Sequence, residues 1–249
     1  MCIFSKHSVV SKTRIFARMT QPQRQVLVYQ MKYQADMDLA MILPIPIVQG
    51  TKPEFLNFET YKDFFYDLAK AENYGSRGLS KGRSFGHDTL EVVEVGAYDA
   101  SFVPDFASFE RLDPRFRLKP GLLESVPGYD QFGFVVFKLN ASSGRDDAHP
   151  MAFEFDTQLS NQLFYPTVHI HDETWHDKEQ FDHTLYSQNS TKGHSHQISR
   201  EGLEHCMQAN LCQGVIDFTQ KVDVHSLYGM LPNTDKLVPV AQGAVSMVQ

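Results

Sequence analysis

The sequence predicts an α+β fold: a mostly antiparallel β-sheet with two helices packed on it. Three observations carry this. Most of the chain reads as short β-branched or aromatic runs bounded by turn residues. Only two stretches place apolar residues at three- and four-residue spacing. No internal repeat and no linker divides the 249 residues, so a single α+β domain over 1–249 is expected.

Residues 13–18 and 25–31 are β-rich runs separated by Gln21-Pro22-Gln23, which reads as a hairpin. Residues 39–47 form an apolar strand whose Pro44 and Pro46 donate no ladder bonds, which places its end at an edge or bulge. Residues 60–72 read as a helix, with Tyr61, Phe64, Phe65, Leu68 and Ala69 on one face and Lys62, Asp63 and Asp67 on the other. A Gly-rich stretch near 73–88 follows, with Gly75, Gly78, Gly82 and Gly86. It lacks a phosphate-loop spacing and reads as a mobile surface loop. Further strands are expected at 90–98, 101–106, 132–139, 150–156, 163–171 and 222–227, with a polar turn at 142–147. The second helix falls at 199–213, with Ser199 as N-cap and Gly214 beyond its end. The tail after about 239 is expected to fray.

Lys plus Arg total 23 against 30 Asp plus Glu, a net charge of −7. Nucleic-acid binding needs a concentrated positive field, and the sequence holds no basic run. No apolar stretch approaches the roughly 20 residues that span a bilayer. Lys6 and His7 interrupt the start before any secretory apolar core forms, so no membrane and a cytoplasmic setting are expected. Cys206 and Cys212 read as buried thiols of a reducing compartment.

Chemistry concentrates in residues 168–183, which hold His169, His171, His176 and His183 and the one tryptophan, Trp175. On a strand, His169 and His171 project from one face. With His176 from the following loop they make three ligands for a divalent transition metal such as zinc, and His183 serves as a fourth ligand or a supporting base. Pairing 150–156 with 163–171 as a hairpin, apolar face to apolar face, leaves His149 outside this group. His194 and His196 read as an exposed loop pair.

Cys2 offers a second chemistry. Removal of Met1 would place its thiol beside the terminal amine, which acts as base, while Arg14 or Arg18 lowers the thiol pKa or binds an acidic substrate. Cys2 and Arg18 look like the cysteine N-terminal-nucleophile hydrolases, where an Arg follows on the next strand. The Asp those enzymes carry after it is replaced here by Met19-Thr20-Gln21.

A wider set of phrases resembles a bacterial family of unknown function, the 2330 family. These are Cys2, Thr13-Arg14-Ile15-Phe16-Ala17, Leu39-Ala40-Met41-Ile42-Leu43-Pro44-Ile45-Pro46, Ser101-Phe102-Val103-Pro104, Leu112-Asp113-Pro114-Arg115-Phe116 and His149-Pro150-Met151. The resemblance implies one bacterial α+β domain and no particular chemistry.

Three functions follow as expectations: a ligand- or metal-binding domain using the histidine cluster, extending to a metal-dependent hydrolase; an amidohydrolase using Cys2 and Arg18; and a non-enzymatic binding module. The last ranks first as a class, because no complete catalytic constellation is visible. Its partner would be a small molecule, another protein or a second copy in a homo-oligomer. The 19 Phe and 10 Tyr suggest exposed aromatic surface for such contacts.

Overall fold

The computed structural model describes residues 3–74, 99–147, 149–191 and 196–240. Strand β1 (Ile3–Phe4) is followed by β2 (Val9–Gln21) and β3 (Arg24–Ala35). The last two form the expected hairpin, closed by Gln21 opposite Arg24 with Gln23 at φ 60°. Side chains alternate across a strand. Val26 and Val28 therefore join one apolar core while Leu27, Tyr29 and Met31 join another. Strand β4 (Leu39–Ile45) is buried throughout. Its Pro44 lies beyond the reach of β1, which opposes only Met41 and Ile42, so no ladder bond is lost on that side.

A short β5 (Glu54–Leu56) and a 3-10 turn at Glu59–Tyr61 lead into α1 (Phe64–Glu72). Then come β6 (Asp99–Val103), β7 (Gly133–Leu139), β8 (Ser142–Asp147), β9 (Met151–Asp156), β10 (Gln162–Tyr165) and β11 (Lys178–Ser187). The chain continues through β12 (His196–Ile198), α2 (Arg200–Cys206), β13 (Val222–Pro232) and β14 (Lys236–Pro239). Ser199 caps α2 by accepting the Gly202 N–H, which satisfies one of the helix's free donors. The helix is shorter than predicted and passes into a 3-10 turn at Ala209–Leu211.

One sheet has eight strands, ordered β12-β13-β11-β2-β3-β9-β5 with β8 also on β3; a second is β1-β4-β7-β6; β10 pairs with β14. All pairings between these strands are antiparallel except β2 with β11. The fold is thus α+β with a predominantly antiparallel sheet. The helices cover one face of the large sheet, where Phe64, Phe65, Leu68 and Leu203 pack on Phe16, Val28 and Tyr186. The other face meets the four-stranded sheet through Ile15, Leu27, Met41, Phe137 and Phe153. The outer face of the small sheet is covered by the irregular segment 106–132.

Two pairings differ from expectation. Strand β9 pairs with β3 and β5, and β10 with β14, so the predicted 150–156/163–171 hairpin does not form. Residues 142–147 make β8 rather than a turn. Both result from long-range partners that local apolar patterning does not encode. The aromatics are mostly inside: the twelve largest fully buried side chains are all Tyr or Phe, while Tyr66, Tyr74 and Tyr228 are the exposed ones among the described residues. The Gly-rich stretch, the strand expected at 90–98 and the tail beyond 240 lie outside the described residues. None of the described helices is long and apolar enough to cross a membrane.

Candidate functional site: a buried histidine stack

After β10 the chain runs extended from Pro166 to His171 between β1 and the turn that follows β13. Side chains take the place of a strand partner here. Asn233 Oδ1 accepts the His169 N–H at 2.7 Å, and Asn233 Nδ2 donates to the carbonyls of His169 and His176. Asp235 Oδ1 accepts the N–H groups of Thr167 and Val168. On the opposite side Ile3 bridges Ile170 in parallel, and the Phe4 N–H donates to the Ile170 carbonyl at 3.0 Å.

His169 and His171 point to the same side, as expected of alternate residues in extended chain. Their rings stack with centroids 5.4 Å apart and 17° between planes. The third imidazole is His183 of β11, whose ring lies 4.9 Å from that of His169 at 18°. Phe181 packs on His169 at 4.2 Å, and Phe4 meets the His171 ring edge-on at 5.5 Å. His169 and His183 are 1% and 2% exposed.

The hydrogen bonds assign tautomers. The Asp182 N–H donates to His183 Nδ1, so that nitrogen carries a lone pair and His183 Nε2 carries the proton. His183 Nε2 therefore donates to His169 Nε2, 3.2 Å away, and both rings are neutral. Burial disfavours the charged imidazolium and holds both pKa values far below the usual histidine range. The same cause takes His171 down to about 4. His171 Nε2 is buried without a hydrogen-bond partner among the described residues.

His176 does not join the stack. Its backbone carbonyl is tied to Asn233, but its ring turns to solvent and its Nε2 lies 3.0 Å from Asp172 Oδ2. That carboxylate raises the His176 pKa. The predicted four-histidine ligand set is therefore split three and one. Among the described residues, no group of three or more His, Cys, Asp or Glu side chains is arranged to hold a metal ion.

Cys2 lies outside the described residues. Arg18, its predicted partner, donates from Nε to the Val215 carbonyl at 2.9 Å and from a terminal nitrogen to the Gly214 carbonyl. Val215 belongs to the core beneath the helices, whereas Phe4 of β1 belongs to the core between the sheets. The sheet thus separates Arg18 from β1, and its cation clamps the loop after α2. His149 stands apart with Nδ1 against the Pro150 carbonyl, and His196 lies 3.5 Å from Glu72. His194 is outside the described residues. Cys206 and Cys212 are free thiols, half-buried and buried. Sequence reading missed Asn233 and Asp235, because Pro232-Asn233-Thr234-Asp235 carries only a turn signal.

No known protein family and no curated protein matches the chain. Solved structures do. The crystal structure of baculovirus P35 is similar over 97% of this chain and 100% of that one, at 14% identity and a TM-score of 0.53. In the crystal structure of the caspase-8/P35 complex, the similar chain is matched over 93% of this chain and 97% of its own length, at 12% identity and a TM-score of 0.53. A mutated baculovirus P35 after caspase cleavage matches 92% of this chain and 100% of its own, at 13% identity and a TM-score of 0.50. At these identities the likeness is one of fold.

Proposed function

We propose that this chain is a binding protein rather than a catalyst, and that its partner is a cysteine protease of the caspase class. The observation that supports this is the end-to-end likeness in fold to baculovirus P35, a protein solved both in complex with caspase-8 and after caspase cleavage. Two local features agree with it. The histidines that suggested chemistry are closed in and neutral, so they are poor proton carriers near pH 7. The cation expected to activate a nucleophile is spent on two backbone carbonyls. In this reading the histidine stack is a seat for β1, and its role is structural.

The test is direct. Purified chain is incubated with active caspase-8 and with two further caspases, and residual protease activity is followed with a peptide substrate. Intact mass reports any cut in the chain. Loss of activity that titrates with the chain, together with a complex on gel filtration, is the expected result. Undiminished activity of all three enzymes at tenfold molar excess, with no complex, would remove the reading.

A further inference from the structure

The two most exposed large apolar side chains among the described residues are Tyr228, 79% exposed, and Met230, 62% exposed. They stand two residues apart on β13, and so on one face of that strand. Strand β11 pairs with β13 along its length, but β12 on the other side reaches only Val222–Val224. From Ser226 to Pro232 that side has no strand partner among the described residues. The phase of the ladder shows which backbone groups are left over. The Asn233 N–H donates to the Asp177 carbonyl at 2.9 Å, continuing the β11 register. Odd-numbered residues of β13 therefore turn their N–H and C=O groups to β11, and Ser226, Tyr228 and Met230 turn theirs outward.

An open edge is commonly blunted by charge. Here the exposed side chains along it are Ser226, Tyr228, Met230 and Pro232, none of them charged, in a chain of net charge −7. Acidic chains repel one another, and an uncharged edge is where two copies meet at least cost. The open run is also self-complementary about Gly229. In an antiparallel two-fold pairing centred there, Tyr228 falls opposite the partner's Met230, Met230 falls opposite the partner's Tyr228, and their outward N–H and C=O groups satisfy one another. The two glycines face each other at a non-hydrogen-bonded position, where backbones approach to about 4.5 Å. Gly229 has φ 94°, and open space lies where a Cβ would stand, so no side chain holds the strands apart. Ser226 falls opposite the partner's Pro232, whose missing N–H ends the ladder. The Thr234 N–H then returns to the Pro232 carbonyl, which turns the chain away before it would meet the other copy's β12.

We infer that β13 is the interface of a two-fold homodimer, in which the β13 edges of two copies pair antiparallel about Gly229 and join the two large sheets into one. Each Tyr228 ring then lies across from a Met230 thioether, and both side chains leave water. The same edge serves both copies, so the assembly closes at two rather than growing. This inference is independent of the protease reading.

The full chain is followed by sedimentation velocity from about 1 to about 200 μM. The expected result is a monomer–dimer equilibrium, with dimer predominant at the upper end. Tyr228→Lys combined with Met230→Lys sets lysine against lysine at both cross-strand positions and should raise the dissociation constant at least tenfold. Tyr228→Glu combined with Met230→Glu should do the same. Both positions are well exposed, so each variant keeps its core. An equimolar mixture of the two variants sets lysine against glutamate and should associate at least tenfold more tightly than either variant alone, although both remain net acidic. A chain that is monomeric at about 200 μM would overturn the inference and leave the edge to a different partner. A dimer that either double variant leaves intact, or a mixture no tighter than its components, would overturn it too.

Discussion

Asn233 touches the backbone of both His169 and His176, yet the two side chains occupy opposite settings. His169 stacks between His171 and His183, loses its hydration and is held neutral. His176, seven residues on, stands 45% exposed against a carboxylate and is held toward its charged form. The residue type and the neighbourhood are shared. What differs is solvent: burial removes the water that stabilises an imidazolium, while a surface carboxylate adds to what water already provides. Histidine spacing alone therefore says little about histidine chemistry.

That contrast is easiest to break with acid. The folded-state pKa values of His169, His171 and His183 all lie below the unfolded value of about 6.5. Below pH 6.5 the unfolded chain binds more protons, so stability falls as pH falls. It is fully present above about 6.5. For His171 the loss continues down to about 4, and for the other two it continues further. Each group contributes a slope of about 1.4 kcal/mol per pH unit. Urea unfolding midpoints measured from pH 7.5 to 5 should drop steeply, by several kcal/mol in all. A flat profile would mean that the imidazoles are hydrated.

The shared anchor gives the next effect in size. Asn233 is 1% exposed, and its side chain supplies three hydrogen bonds to backbone. Asn233→Ala should cost about 2–4 kcal/mol by urea titration at pH 7.5, because buried backbone groups lose their partners. Asn233→Asp keeps the acceptor for the His169 N–H and loses the donors, so it should also destabilise. A cost below about 0.5 kcal/mol in the alanine variant would show that 167–171 is held by β1 instead.

The surface pair gives the smallest effect. Asp172→Asn should bring the His176 titration midpoint down toward about 6.5, read from its ring proton shifts by NMR. Stability should change by no more than about 0.5 kcal/mol, because both partners are well exposed. The pH dependence has the opposite sign to that of the stack: this contribution is present when His176 is protonated and fades as pH rises through its raised pKa.

Local signals were the legible part of the sequence. The β2–β3 hairpin, the apolar face of α1, the Ser199 cap and the same-side projection of His169 and His171 all depend on residues close together in the chain. Partner choice was not legible. Met151, Phe153 and Phe155 form a face that suits any apolar strand, and β9 finds β3 more than a hundred residues away rather than β10. His183 read as an accessory to the cluster and is one of its three members, because the register of β11 places it beside a loop that is irregular in sequence. Arg18 read as a catalytic cation and is a loop clamp, a role set by carbonyls at Gly214 and Val215 that no side-chain pattern announces.

Among the described strands, the parallel pairing joins Arg14–Ala17 of β2 to Thr184–Ser187 of β11. Closing it requires β2 to wait for residues 170 positions later. Such a long chain closure is slow, and during synthesis the β2–β3 hairpin has no neighbour on that side until β11 has left the ribosome. Until then its exposed edge is a sticky surface for other nascent chains, so yield in the cell should depend on how quickly β11 arrives or on chaperones that shield the edge.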